Sequence, residues 1–95
     1  MIIFYQKRFL KDLADIPMRL RRKIENFVFI KLSTLKKFNE LKEAERMTGY
    51  PHYYKIRFGD YRSGLSFIDE NITIERILHR KEIYRFFPWP FYERN

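Results

Sequence analysis

The sequence predicts an α+β domain in which two N-terminal helices pack on a twisted antiparallel sheet. The expected element order is β-α-α-β-β-β, followed by a short C-terminal helix. Two observations predict it: apolar residues recur at helical spacing in the first half of the chain, and apolar and polar residues alternate in the second half. A chain of 95 residues suits a single domain, residues 1–95, in which residues 88–95 form an aromatic tail.

The first half of the chain begins with an expected strand and continues as a helix. Residues 1–5 are apolar and β-branched, which is typical of a strand. Residues 6–14 carry apolar side chains at helical spacing. The segment Asp15-Ile16-Pro17 then restarts the chain, because proline is favoured at the first position of a helix.

A long second helix is expected over residues 18–41, where neither glycine nor proline interrupts the apolar period. Its apolar band is wider than one stripe because Phe29, Ile30 and Leu32 add to it. We therefore expect this helix to meet a further element or a partner protein. The charged segment 40–46 is expected to be a frayed helix end or a loop.

The stretch YYKIRFGDYRSGLSFI, residues 53–68, is typical of a β-hairpin. Gly59-Asp60 is a Gly-X pair that suits a two-residue type II′ turn. The expected pairs are Phe58 with Tyr61, Arg57 with Arg62, Ile56 with Ser63, and Lys55 with Gly64. Alternation then separates an apolar face from a cationic face, which holds Tyr53, Lys55, Arg57, Arg62, Gly64 and Ser66. Two arginines opposite each other normally destabilise a sheet, and Gly64 leaves open space beside Lys55, so the pattern indicates an anion site.

A third strand is expected over residues 72–78, after a turn at residues 69–71. A two-residue loop at Glu70-Asn71 places His79 opposite Arg62 on the cationic face. A three-residue loop would turn His79 to the other side, because a slip of one residue reverses every side chain. Residues 80–87 suit one or two helical turns that end at Pro88.

The net charge of +8 predicts an anionic partner: nucleic acid, an acidic protein or an anionic membrane surface. The absence of cysteine excludes disulfides and thiol nucleophiles. The longest apolar run, residues 27–30, is far shorter than the ~20 residues of a membrane span, and the charged N-terminus does not resemble a signal peptide. These features favour a cytoplasmic protein without a membrane partner.

The cations converge from three consecutive segments of the predicted sheet, and their alternative explanation is an ordinary solvated face of a basic protein. The set comprises Lys55, Arg57, Arg62, His79, Arg80 and Lys81. Forked guanidinium groups and a compact ammonium suit a phosphodiester. No metal site or cofactor is expected, because His52 and His79 lie far apart in sequence and no phosphate-binding glycine loop occurs.

Without a metal, RNA can be cleaved by its own 2′-hydroxyl, given a base, cations for the developing charge and an acid for the leaving oxygen. His79 is a candidate because imidazole changes protonation near neutral pH, although a single histidine is often structural. Lys55 beside Arg57 is a candidate base or proton relay. Tyr84 could stack on a base, take part in proton transfer, or cover the core.

The motifs YYKIRFGDYR (residues 53–62) and LHRKEIYR (residues 78–85) resemble the RelE/ParE toxin superfamily, most closely its RelE-like branch. The resemblance extends to about Pro88. It implies a RelE-like microbial RNase fold and an mRNA interferase that cuts messenger in the ribosomal A site, leaving a 2′,3′-cyclic phosphate. It also implies a cognate antitoxin as partner, which the charge and the wide apolar band suggest is acidic with an amphipathic helix.

The resemblance also assigns roles to individual residues. Lys55 and Arg57 match the family's pair of strand cations, and Arg62 matches the arginine that grips the scissile phosphate. Lys81, or Arg80 beside it, stands where the family has an arginine after the last strand. Tyr84 is the candidate for the C-terminal tyrosine, and His79 departs from the best-studied pattern and is expected to share the acid–base work. Tyr53, Arg80 and Arg85 are expected to contact RNA.

A second function is compatible with the same fold. A ParE-like toxin poisons DNA gyrase without catalysis, but such chains usually lack the full set of Lys55, Arg57, Arg62 and Lys81. A third possibility is a basic module that only binds nucleic acid. The complete set of cations favours RNA cleavage.

Overall fold

Two helices pack on one face of a five-stranded sheet in the computed structural model, which describes residues 1–88. The elements are β1 (Ile2–Tyr5), α1 (Lys7–Ala14), α2 (Met18–Glu25), β2 (Glu45–Arg46), β3 (Tyr53–Phe58), β4 (Tyr61–Ile68), β5 (Asn71–His79) and α3 (Ile83–Phe86). The predicted α+β class is confirmed, with β2 as an added strand. The expected aromatic tail with Trp89, Phe91 and Tyr92 lies outside the described residues.

The strand order in the sheet is β1-β5-β4-β3-β2. The pairs from β2 to β5 are antiparallel, as expected, whereas β1 lies parallel to β5 at the opposite edge. The short strand β2 lies within the segment expected to be a frayed helix end or a loop, and it pairs Glu45 with Lys55. The core lies between the helices and the sheet, where Phe9, Ile24, Val28, Leu65 and Ile74 are fully buried.

The second helix is shorter than expected. α2 continues as a π-helical turn over Asn26–Lys31 and a 3-10 turn over Leu32–Thr34, and the chain is extended at Leu35. The hydroxyls of Ser33 and Thr34 donate to carbonyls three residues earlier, and such bonds compete with helix continuation. Leu32 is buried in the core, whereas Phe29 and Ile30 remain exposed.

Beyond the helix, the chain is held by a carboxylate. The side chain of Glu40 accepts the backbone N–H groups of Lys36 and Lys37, and these bonds lower the pKa of Glu40. At the other end of the layer, the hydroxyl of Tyr5 donates to the carbonyl of Val28 over 2.6 Å, and burial raises the pKa of Tyr5. The π-helical turn is therefore fixed to β1.

The predicted β3–β4 hairpin is confirmed, pair by pair. Gly59 has a φ of +59°, the left-handed value that the first position of a type II′ turn requires. The register matches Phe58 to Tyr61, Arg57 to Arg62, Ile56 to Ser63 and Lys55 to Gly64.

The predicted β4–β5 register is wrong. The two turn residues are Asp69 and Glu70, both with positive φ, so Ile68 pairs with Asn71. A β-bulge then leaves Glu75 without an opposite residue on β4, and beyond it His79 pairs with Tyr61 instead of Arg62. The bulge is needed because the buried residues Ile72, Ile74 and Ile77 are separated by two and then three positions, so one extra residue keeps all three on the helix side.

Arg76, which follows the bulge, joins β5 to both flanking helices. Its guanidinium makes two contacts of 2.7 and 3.0 Å with the carboxylate of Asp12 on α1. The same carboxylate accepts the backbone N–H of Ile77, which lies beyond the residues of β5 that β1 pairs. Arg76 also lies over the ring of Phe86 in α3, 5.2 Å from its centroid. Asp12 therefore orders the bulge and, through Arg76, the position of α3.

A cationic site on the outer face of the sheet

The predicted cationic face is the sheet face opposite α1 and α2, which we call the outer face. It is not open throughout, because Phe87 packs on it and is fully buried. A Cβ atom on Gly64 would lie 2.6 Å from the Cγ and Cε2 atoms of the Phe87 ring. The expected space beside Lys55 is therefore filled by this ring, and glycine at position 64 is what admits it. Met47, Ile83 and Phe87 form a small second core here.

Lys55 and Tyr84, two of the predicted site residues, are in direct contact. The ammonium of Lys55 donates to the phenol oxygen of Tyr84 over 2.8 Å and lies 5.3 Å from the ring centroid. Because an ammonium can only donate, the phenol oxygen is the acceptor and its own proton remains available to another group. Tyr84 is 55% exposed, so it does not cover the core as one alternative held. Phe87 has that role.

Arg57 and Arg62 lie opposite each other as predicted, and each has its own acceptor. The Nε of Arg57 is 3.1 Å from the carboxylate of Glu45 on β2. Nη1 of Arg62 donates to the carbonyls of Gly59 and Tyr61, at 2.7 and 2.9 Å. These acceptors offset part of the repulsion of a like-charge pair. Both side chains are solvent-accessible in part, and an exposed ion pair such as Arg57–Glu45 contributes only about 0–1 kcal/mol.

His79 lies on the other side of the sheet, which corrects its predicted place on the cationic face. Its ring meets Tyr61 edge-on at 5.7 Å, and Tyr61 packs against the main core. Its Nδ1 accepts the backbone N–H of Lys81 over 3.2 Å. The imidazole therefore orders the turn after β5.

Arg80 and Lys81 lie in that turn and precede α3, which is one turn long and begins at Ile83. Arg80 is tied to the hairpin: its N–H donates to the carbonyl of Asp60, and its guanidinium lies 3.9 Å from the Asp60 carboxylate. Lys81 and Arg85 are exposed. The helical turns expected over residues 80–87 are thus shorter than predicted, and of Arg80, Lys81 and Tyr84 only Tyr84 is helical.

An open groove of ≈ 480 Å³ lies beside the Lys55–Tyr84 pair, and sequence reasoning missed its far wall. That wall lies within residues 45–50. It consists of β2 and the turn that follows it, and it includes Tyr50. Tyr53, expected to contact RNA, is half-buried and meets the Phe87 ring edge-on at 5.5 Å. The signal that could have found the groove is the turn motif MTGYP, which places an aromatic residue directly after a glycine.

Within residues 1–88, no three His, Asp or Glu side chains are grouped so that they could hold a metal ion. No helix among these residues is long and apolar enough to cross a membrane.

Comparison with known proteins defines the class of this protein. Residues 3–84 match the family model of the ParE toxin of type II toxin–antitoxin system, parDE. The chain is 36% identical to Toxin RelE3 of Methanocaldococcus jannaschii over 89 residues. This alignment covers 93% of this chain and all of the relative. The protein is a toxin of a type II toxin–antitoxin system. It belongs to the RelE/ParE toxin family, as the two motifs of its second half predict.

Solved structures agree with this assignment. The RelB-RelE antitoxin–toxin complex from Methanococcus jannaschii matches with a TM-score of 0.72 and 35% identity, covering 90% of this chain and 99% of the matched chain. The archaeal RelE-RelB complex from Pyrococcus horikoshii matches with a TM-score of 0.63 and 25% identity, covering 83% and 93%. The isolated RelE toxin of E. coli, at 20% identity and a TM-score of 0.61, covering 88% and 90%, shares the fold.

Proposed function

We propose that this toxin is an endoribonuclease that cleaves messenger RNA in the ribosomal A site and needs no metal ion. The observation that carries the proposal is the contact between Lys55 and Tyr84 on the same sheet face as Arg57 and Arg62. Two forked donors, one ammonium and one phenol proton on a single face suit a phosphodiester that gains negative charge during cleavage.

In the proposed reaction the 2′-oxygen of the substrate attacks the adjacent phosphorus and its proton passes to water. The bond between phosphorus and the 5′-oxygen breaks, and the phenol of Tyr84 gives its proton to that leaving oxygen. The ammonium of Lys55 then faces the phenolate that Tyr84 has become. Arg57 and Arg62 hold the phosphoryl oxygens while their charge increases. The products are a 2′,3′-cyclic phosphate and a 5′-hydroxyl.

His79 has no direct part in this proposal, because it lies on the side of Tyr61. It acts as a positioning residue that holds the turn carrying Arg80 and Lys81. Lys81 and Arg85 extend the positive surface towards neighbouring phosphates, which adds affinity without base recognition.

Replacing Arg62 by alanine is expected to abolish growth arrest and to lower the cleavage rate by about 10²–10³-fold, because one donor to the developing charge is lost. The protein should still fold, since Arg62 is only half-buried and bonds two carbonyls at the end of the hairpin, those of Gly59 in the turn and of Tyr61 at the start of β4. Cleavage is measured by mapping RNA ends on messenger that is being translated, and folding by thermal melting.

The matched control is Arg62→Lys, which keeps the charge but loses the fork and should retain part of the rate. Undiminished toxicity of folded Arg62→Ala would refute the site assignment. A wild-type protein that cuts no translated messenger but inhibits supercoiling by gyrase would establish the ParE-like alternative instead.

We further propose that the cognate antitoxin is an acidic protein with an amphipathic helix that covers Phe29 and Ile30. Ile30 is 60% exposed and Phe29 is 38% exposed, beside Tyr5 at the end of the helical layer. An apolar patch on a chain of charge +8 suits apolar side chains flanked by carboxylates.

This partner is tested with the product of the neighbouring gene. The expected result is a co-purifying acidic protein whose affinity falls with salt and drops by about tenfold or more for Ile30→Asp, because a charge would have to be buried. The matched control is Ile68→Asp on β4, an apolar residue of 43% exposure away from this patch. A toxin that purifies alone, as a toxic monomer, would contradict the proposal.

A further inference from the structure

The groove beside the Lys55–Tyr84 pair has a lining that suits an aromatic ring. Its apolar part includes the buried side chains of Met47 and Phe87. Exposed tyrosines stand at its borders: Tyr84, and Tyr50 at 37% exposure. A volume of ≈ 480 Å³ lies within the range of sites for small organic ligands, roughly 300–1,000 Å³.

Tyr50 is held at this border by local backbone structure. Its N–H donates to the carbonyl of Met47 over 3.0 Å, closing a turn in which Gly49 has a φ of +82°. That φ suits the third residue of a type II turn and favours glycine. The turn is joined to β3, since the N–H of Met47 donates to the carbonyl of Tyr53 over 2.8 Å. Tyr50 is thus positioned without being buried.

Tyr50 has an aromatic neighbour that is itself in contact with the second core. The centroid of the Tyr50 ring lies 6.0 Å from that of Tyr53, whose ring in turn meets the buried Phe87 edge-on. A supported aromatic side chain that is still 37% exposed is a stacking platform of the kind that nucleobases occupy. Beside it, Glu45 and Thr48 line the groove with a carboxylate and a hydroxyl, groups that hydrogen-bond to base edges.

We infer that this groove binds the base of a nucleotide next to the scissile linkage, and that Tyr50 is the residue on which that base stacks. The inference deepens the proposed function, on which it rests, by adding a base-binding subsite to the phosphate site. Tyr50 lies outside the cationic set, so its contribution is contact with a base, whereas that of Arg57 and Arg62 is contact with charge. The loop of residues 45–50 then decides which RNA sequences are held best.

Binding of an uncleavable RNA tests this inference. The probes are short RNAs with a 2′-deoxy sugar at the cleavage position and 2-aminopurine at each neighbouring position in turn, because this base loses fluorescence when it stacks. We expect quenching at one position with the wild-type protein. Tyr50→Ala should remove that quenching and weaken binding by about tenfold, whereas Tyr50→Phe keeps the ring and should bind within about twofold.

An abasic nucleotide at the quenched position supplies a second measurement that does not depend on the fold of the variant. The wild-type protein and Tyr50→Ala should bind the abasic RNA equally, since the stacking partner is then missing from both complexes. The control variant is Phe4→Ala, a 50% exposed aromatic residue on β1 at the opposite edge of the sheet, which should bind like the wild type.

The outcomes separate this inference from the proposed function. In one outcome the protein cuts translated messenger, but Tyr50→Ala weakens binding of intact and abasic RNA by the same factor or not at all. This result would refute base binding in the groove and would leave the proposed cleavage site unaffected. If the protein cuts no messenger but shows quenching that depends on Tyr50, the nuclease proposal is refuted and base binding in the groove is supported. A Phe4→Ala variant that loses as much RNA affinity as Tyr50→Ala would also refute base binding in the groove.

Discussion

Replacing Tyr84 by phenylalanine is expected to lower the rate of RNA cleavage by about 10²–10⁴-fold, the usual contribution of a positioned proton donor. The substitution removes only the hydroxyl that accepts from Lys55 and keeps the ring. RNA binding and thermal stability should therefore stay close to those of the wild type, because more than half of the side chain is exposed and unneeded for packing. Single-turnover cleavage and a binding assay with uncleavable RNA measure the two effects separately.

The partner of Tyr84 provides the control. Lys55→Met should also slow cleavage, and the double variant should be little slower than Tyr84→Phe alone, because the two groups act through one hydrogen bond. Two independent contributions would instead multiply. A Tyr84→Phe protein that cleaves within about threefold of the wild type would show that the phenol donates no proton in the reaction.

Replacing Asp12 by alanine is expected to destabilise the fold by about 3–5 kcal/mol, because a largely buried guanidinium on Arg76 loses its carboxylate. The side chains of Arg76 and Asp12 are only 13% and 11% exposed, so water replaces the lost partner poorly. The backbone N–H of Ile77 loses its acceptor as well. Since small domains are stable by only about 5–15 kcal/mol, thermal melting will detect this readily.

The double variant Asp12→Ala/Arg76→Met removes both charges and should recover much of the loss, since an apolar side chain does not require a buried partner. The double variant should regain stability without regaining the contact with α3. Its methionine has no cation to place over the ring of Phe86, as the Arg76 guanidinium does. A single Asp12→Ala variant that melts within a few degrees of the wild type would refute the structural role given to this ion pair.

Local signals in the sequence were sufficient for the hairpin and for the sheet face on which its cations lie. The Gly59-Asp60 turn sets its own geometry, and strict alternation on both sides of it fixes the faces, so the pairing of Arg57 with Arg62 could be predicted. The contact between Lys55 and Tyr84 spans 29 positions and was not predicted; the resemblance only named both as site residues. Their roles in the reaction stay predictions.

Non-local packing accounts for what the sequence did not disclose. The spacing of Ile72, Ile74 and Ile77 predicts the bulge only once all three are known to face the helices. The helical turns that continue α2 end where the Ser33 and Thr34 hydroxyls bond the carbonyls of residues 30 and 31, and these bonds compete with a continuous apolar period. The glycine at position 64 suggested empty space because the residue that fills it, Phe87, comes much later in the chain.

The parallel pairing of β1 with β5 has a consequence for synthesis of the toxin. Residues 2–5 form their sheet contacts with residues 71–74, so β1 must wait for β5, which is made about 70 residues later. Contacts this distant in sequence form late, because the intervening loop has to close first. A nascent chain emerging from the ribosome thus lacks its finished sheet until β5 has been made, and Tyr84, which Lys55 contacts, follows later still.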